Sequence, residues 1–218
     1  MQLSIKAENT RDHTHSNKFR ERRIMGRSLG QLEVLSVNIK ELAGEAACVQ
    51  VMQGHEALTE KSKPVQVADW VKGAVQRLDE TVESYTVEQI MLRCGRNCAM
   101  VNQRPIVAAK KRRVKYLSLD DFLAAEQNSP PAGMRFERDG NVVYQVYTPQ
   151  AFGQPMRCYC GLMRALPENE TVSKTFCNCS RGFVQVWWEG ILGHPVVVEI
   201  LQTAISGAKE CKFSIRIN

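Results

Sequence analysis

Between residues 66 and 83 the apolar positions Val67, Trp70, Val71, Ala74, Val75, Leu78 and Val82 recur at three- and four-residue steps. That spacing places them on one face and predicts an amphipathic helix. Leu32, Leu35, Ile39 and Leu42 give a second helical stripe within 31–52, which Gly44 weakens, and 53–64 reads as a linker that Pro64 bounds. Glu83-Ser84-Tyr85 breaks the first pattern, and Thr86 with Gln89 has the form of a capping box. The helix it opens runs through Ile90, Met91, Cys94, Cys98 and Val101, and Pro105 ends it ahead of a basic loop. Ser118 predicts the cap of a short helix that reaches about Gln127.

The period then changes to two. Met134–Tyr147 reads as a β-hairpin turning at Asp139-Gly140, and 195–205 reads as a β-branched strand. Between them Ser180 predicts a helix cap, Phe183, Val186, Trp187 and Ile191 an inner face, and Gly193 with Pro195 a stop. Trp187 and Trp188 are adjacent, and two adjacent side chains do not both face one core from one helix face. Cys211, Phe213, Ile215 and Ile217 alternate with polar residues as a half-buried strand. This order predicts an α+β fold, an antiparallel sheet packed against several helices. The expected organisation is a mobile basic arm over 1–30, a helical segment and linker over 31–65, and one cysteine-rich ligand-binding domain over 66–218.

Composition narrows the class. The chain has 218 residues, of which 44% are hydrophobic, enough for a substantial core. No apolar run approaches the roughly 20 residues of a membrane span. The N-terminal stretch lacks the apolar segment of a secretory signal, so a cytoplasmic protein with reduced thiols is expected. The net charge is +6, concentrated around 18–27 and 110–115. No aromatic platform or reading helix accompanies either run, so both read as solvated segments and nucleic-acid binding is not expected. The chain contains no phosphate-binding glycine loop, nucleophile elbow or paired-carboxylate pattern.

The chemistry lies in the cysteines, eight in all. Cys158/Cys160 and Cys177/Cys179 form two Cys-x-Cys pairs, and Cys94/Cys98 are four apart on a predicted helix, with both thiols on one side. Two tight pairs supply four thiolates, the tetrahedral set that zinc takes; an iron–sulfur cluster is the alternative. The helical pair either completes such a site or forms a separate dithiol, and Arg93 and Arg96 would lower its thiol pKa values if they lay close. The competing reading of any cysteine is a small buried apolar residue, and it is preferred for Cys48 and Cys211. Tyr159, Phe183, Trp187 and Trp188 are candidates to line an apolar pocket, with ordinary core packing as the alternative for each.

The Ser180-Arg-Gly-Phe183 helix start, the Gly193-His-Pro-Val196 turn and the Gly207…Cys211-Lys-Phe213 hairpin carry a likeness. They resemble the vinyl-reductase-type hydrocarbon-binding domains, whose fold is shared with certain TRAPP subunits and heme-NO-binding-like modules. A nearer likeness, carried by Cys94-Gly-Arg-Asn-Cys98 and the two Cys-x-Cys pairs, is to a cysteine-rich bacterial set similar to aminothiazoline-carboxylate hydrolase-like proteins. The resemblance covers about 66–218, is specific only in 94–98 and 157–217, and does not extend to residues 1–60. It implies a small-molecule pocket between sheet and helices, and cysteines that hold a metal. Heme is not expected, because no histidine lies between Asp69 and Val101. The leading expectation is a small-molecule-binding or sensor module with a cysteine-bound zinc beside an apolar pocket. The alternatives are a metal-assisted hydrolase or dithiol redox enzyme on the same cysteines, and a module that forms a homodimer through the C-terminal sheet.

Overall fold

The computed structural model describes residues 29–149 and 157–217. The arm expected over 1–30 lies, as far as residue 28, outside the described residues. Helix α1 spans 29–43 and α2 spans Glu45–Val51, separated by Gly44 at a φ of 91°. A positive φ is open to glycine at little cost, so the residue that weakens the stripe divides it into two helices. Leu32, Leu35 and Ile39 are buried, whereas Leu42, the last position of the stripe, is exposed.

Helix α3 (Pro64–Thr81) starts on Pro64, and α4 (Ser84–Val101) starts two residues before the expected cap. Glu83 does the capping, its carboxylate accepting from the backbone N–H groups of Tyr85 and Thr86 at 3.0 and 3.1 Å. These bonds hold the Glu83 carboxyl below its ordinary value. Helix α5 (Arg104–Arg113) occupies the stretch expected to be a loop. Pro105 opens this helix, because a first-turn residue has no intrahelical use for the N–H that proline lacks. Helix α6 (Leu119–Asn128) is capped by Ser118 as expected.

Strands β1 (Met134–Asp139), β2 (Val142–Tyr147), β3 (Val197–Gln202) and β4 (Cys211–Arg216) form an antiparallel sheet in the order β1-β2-β4-β3. The first hairpin turns through Gly140 and Asn141, with Gly140 at a φ of 55°. Val143 faces Ile215 and Gln145 faces Phe213 across β2 and β4, which fixes the inner face. The fold is therefore α+β, with the sheet packed against helices.

Helix α7 (Asn178–Leu192) lies at the centre, against β3 on one side and against α4 and α5 on others. Surrounded in this way, it buries more than one stripe. Trp187 and Trp188 are both in the core, contrary to the expectation from a single helix face. The Trp187 ring stacks on Phe136 with centroids 6.0 Å apart, and Trp188 meets Phe136 edge-on at 6.1 Å. The Trp188 indole N–H donates to the buried Gln145 side chain at 2.7 Å, and the Gln145 amide donates in turn to the Tyr147 hydroxyl.

Candidate thiol cluster

Two glycines let the cysteine segments meet. A Cβ on Gly95 of α4 would stand 1.9 Å from the Cys179 carbonyl oxygen, and a Cβ on Gly182 of α7 would stand 2.5 Å from the Leu92 carbonyl oxygen. Backbone therefore touches backbone where α4 and α7 cross, and any side chain would force them apart. The Arg181 guanidinium pairs with Glu88 at 2.5 Å and ties the same two helices. Cys94 and Cys98 flank Gly95 on α4, and Cys179 lies at the contact from α7.

Cys177 and Cys179 do not act as a pair, whereas Cys158 and Cys160 are direct neighbours. Cys177 closes a 3-10 turn (Lys174–Cys177) and stands at the N-cap of α7, and Cys179 is already helical. Positions two apart on a helix point about 200° apart, so these thiols diverge. Cys158 and Cys160 sit in a compact turn, with the Cys160 N–H 3.4 Å from Cys158 Sγ. One member of each pair joins the α4 cysteines. Within Cys94, Cys98, Cys160 and Cys179, every pairing is close enough for one thiolate to raise the pKa of the other. By the same criterion Cys158 adjoins Cys160 and Cys179 as well as Cys177 and Cys211, and Cys177 adjoins Cys160, so these thiols continue the first four. Cys211 packs against the aromatic core, as expected of a plain core residue, and is also near enough to Cys158 and Cys177 to influence their ionisation.

Burial is the first cause of the high thiol pKa values throughout. It pushes Cys94 and Cys160 up to about 11 and Cys177 to about 12, and holds Cys158 and Cys179 well above the ordinary value. Neighbouring thiolates add to the effect, as at Cys179, where Cys160, Cys94, Cys98 and Cys158 all contribute. The α7 N-terminus does not overcome the desolvation of Cys177. Arg93 and Arg96 do not serve the thiols either: Arg93 pairs with Glu41 at 2.7 Å and Arg96 reaches Gln185 at 3.4 Å. The donors that do reach the α4 sulfurs are amides. Asn38 of α1, itself buried, donates to Cys94 Sγ at 3.3 Å, and Asn102 donates to Cys98 Sγ at 3.4 Å. Both bonds oppose the rise in pKa.

Among the described residues, no group of three or more His, Cys, Asp or Glu side chains is arranged to hold a metal ion. The cysteines expected to hold a metal, Cys158, Cys160, Cys177, Cys179, Cys94 and Cys98, lie as neighbouring thiols whose pKa values burial raises. Tyr159 is half-buried, its ring 5.4 Å from Tyr147 and its hydroxyl donating to the Gly133 carbonyl at 3.2 Å. Phe183, also half-buried, lies one turn beyond Cys179, whereas Trp187 and Trp188 pack under the sheet. A groove of about 230 Å³ lies away from the thiols, on the outer face of the sheet, lined by Tyr144, Val197, Glu199, Leu201 and Arg216 among others. No helix among the described residues is long and apolar enough to cross a membrane.

The sequence pattern flagged the cysteines but not what assembles them. Gly95 and Gly182 were visible as glycines inside helical patterns, a signal of close backbone approach. Nothing in the spacing of α1 pointed to Asn38.

No curated protein matches the chain. Among solved structures, it is similar to an H-NOX protein from S. oneidensis in the Fe(II)NO ligation state at 9% identity and a TM-score of 0.41, covering 88% of this chain and 98% of that one. A mutant H-NOX protein from S. oneidensis in the Fe(II) state gives 10% identity and a TM-score of 0.42, with coverages of 88% and 95%. Values at this level carry no argument about fold family or function. The model of a family of unknown function, DUF6144, matches residues 26–218, and the chain belongs to that family.

Proposed function

We propose that this protein is a small-molecule-binding or sensor module in which Cys94, Cys98, Cys160 and Cys179 bind a soft metal ion, zinc, within a domain spanning 66–218. The observation that supports this reading is that four thiols from three chain segments lie near enough to influence one another's ionisation, beside the close contact of α4 with α7 at Gly95 and Gly182. Their side chains are not arranged as ligands and would have to turn toward an ion. Four sulfurs match the complement of a closed tetrahedral site. Zinc would supply the positive charge that buried thiolates lack, and its binding would release thiol protons. Asn38 and Asn102 would keep their N–H groups on the Cys94 and Cys98 sulfurs and moderate the thiolate charge. Cys158, Cys177 and Cys211 would remain protonated beside the site. A closed four-sulfur site leaves no position for a catalytic water, which favours binding over metal-assisted hydrolysis. High thiol pKa values likewise disfavour a ready nucleophile or redox dithiol. Tyr159 and Phe183, half-buried next to the cysteine segments, are the side chains proposed to meet a small apolar ligand.

The test is metal analysis and cobalt substitution of reduced full-length protein. About one ion per chain is expected, with a tetrahedral sulfur-ligand cobalt spectrum. Single Cys→Ser changes at 94, 98, 160 or 179 should abolish it, whereas changes at 158, 177 or 211 should not. Failure to take up zinc or cobalt after reduction would reject the reading. Visible sulfide-to-iron absorption in freshly purified protein would assign the thiols to an iron–sulfur cluster instead.

A further inference from the structure

A second surface, remote in chemistry from the thiols, is formed by α5 and the turn that follows it. From Arg93 to Leu117 the chain contains no aspartate or glutamate, while α5 ends in Lys110, Lys111, Arg112 and Arg113. Two of these cations have internal work. Arg112 forms a paired contact with the buried Glu126 carboxylate at 2.6 and 2.9 Å, and Arg113 donates to the Tyr116 carbonyl at 2.8 Å. Arg104, Lys110, Lys111 and Lys115 have no ion pair among the described residues. Arg104, Val107, Lys111 and Val114 follow steps of three and four, so they share one face, while Ile106 and Ala109 turn to the core.

Exposed aliphatic residues crowd the same acid-free segment. Leu117 is 105% exposed, Val114 81%, Val101 70% and Met100 58%. Isolated exposed aliphatic residues need no explanation, but these four and Val107 (42%) are grouped on the acid-free segment. Cations beside protruding aliphatic side chains suit the interface of a bilayer, where the apolar tips enter the acyl boundary and the cations meet anionic headgroups. The other polyanions fit less well. Nucleic acid is gripped through aromatic stacking or groove-reading side chains, and Tyr116, the aromatic residue in this segment, packs edge-on against Phe122 at 5.9 Å. A second copy of the same face would be repelled by its like charge.

We infer that the surface formed by α5 and residues 114–117, together with Met100 and Val101, docks reversibly on membranes that contain anionic phospholipid. The aliphatic tips supply insertion and the unpaired lysines supply attraction. This inference is independent of the thiol reading, since none of its residues is a cysteine and its test needs no metal.

The experiment is co-sedimentation of full-length protein with vesicles of phosphatidylcholine alone or mixed with phosphatidylglycerol. Binding is expected only to the mixed vesicles, falling as salt rises. Lys111→Gln and Lys115→Gln should each weaken it about fivefold. The double change Val114→Ser with Leu117→Ser should weaken it at least about tenfold while leaving the unfolding midpoint unchanged, because both side chains are already in water. Absence of binding to the mixed vesicles at low salt overturns the inference. So does binding that ignores the serine pair, which would place the attraction in other basic segments. If single-stranded RNA or duplex DNA binds more tightly than the vesicles, with sensitivity to the lysine changes alone, the surface serves nucleic acid and the lipid assignment falls.

Discussion

The two halves of the core are filled with different atoms, although α7 runs through both. Under the sheet, Phe122, Phe136, Trp187, Trp188 and Phe213 pack with aliphatic residues, and the buried Gln145 side chain has hydrogen-bond partners in Trp188 and Tyr147. At the other end of α7 the core holds Cys94, Cys158 and Cys177, with Cys160 and Cys179 packed against it among the aliphatic residues of α1 to α4. The aromatic half is complete as folded. The sulfur half is apolar only while its thiols stay protonated, and it therefore depends on pH in a way the aromatic half does not.

The largest expected effect comes from breaking what the halves share. Gly95→Ala places a methyl group on the Cys179 carbonyl, and α4 must then separate from α7. The cost should exceed the roughly 1–3 kcal/mol of ordinary overpacking, and metal uptake should be lost with it; urea unfolding and metal analysis read the two. Gly73→Ala is the contrast. Its added Cβ meets the movable end of Arg77 at 3.2 Å, so a stability change within about 1 kcal/mol of wild type is expected.

Trp188→Phe acts on the aromatic half alone. It leaves the Gln145 side-chain oxygen buried without its donor, at a cost of about 1–3 kcal/mol, or roughly 2–4 °C of Tm per kcal/mol. Metal stoichiometry should not change. If it does, the halves are coupled through α7 more strongly than their packing implies.

Alkaline pH acts first on the sulfur half. An unfolded thiol ionises near about 8.5, whereas the folded Cys94 and Cys160 thiols, desolvated by burial, stay protonated up to about 11. Above pH ~8.5 the unfolded state binds fewer protons than the folded one, so the stability of metal-free protein falls as pH rises toward 11. The window between pH ~8.5 and ~10 isolates the thiols, because Tyr147 and Tyr159, also raised by burial, add their loss only above it. Chemical unfolding across this window should show the decline in metal-free protein and remove most of it in zinc-loaded protein. A flat profile without metal would mean the thiols are not desolvated.

The smallest effect is on one bond. Asn38→Leu removes the amide donor from Cys94 Sγ at about 0.5–1.5 kcal/mol. Because that bond opposes the rise in the Cys94 pKa, the alkylation profile of Cys94 should move to higher pH, with Cys98 unaffected. Equal shifts at both cysteines would point to a general loosening of α4.

Local signals were readable wherever the chain decides by itself. Ser118 capped α6, Gly193 closed α7 at a φ of 79°, and the alternation of Phe213, Ile215 and Ile217 marked the inner face of β4. Signals failed where a competing partner won. Glu83 took the cap expected of Thr86, and Pro105 opened a helix instead of ending a region. The pairing of cysteines by adjacency also failed, since Cys177 and Cys179 diverge around a helical turn and each joins cysteines far away in sequence.

By itself, then, the sequence determined the α+β class, the antiparallel sheet and the segments that carry thiols, because periodicity, caps and turns are local properties of the chain. Only the tertiary structure decided which thiols are neighbours and that Asn38 reaches Cys94. Those outcomes depend on how closely α4 and α7 approach at Gly95 and Gly182, and a distance between two backbones is not written in the spacing of either.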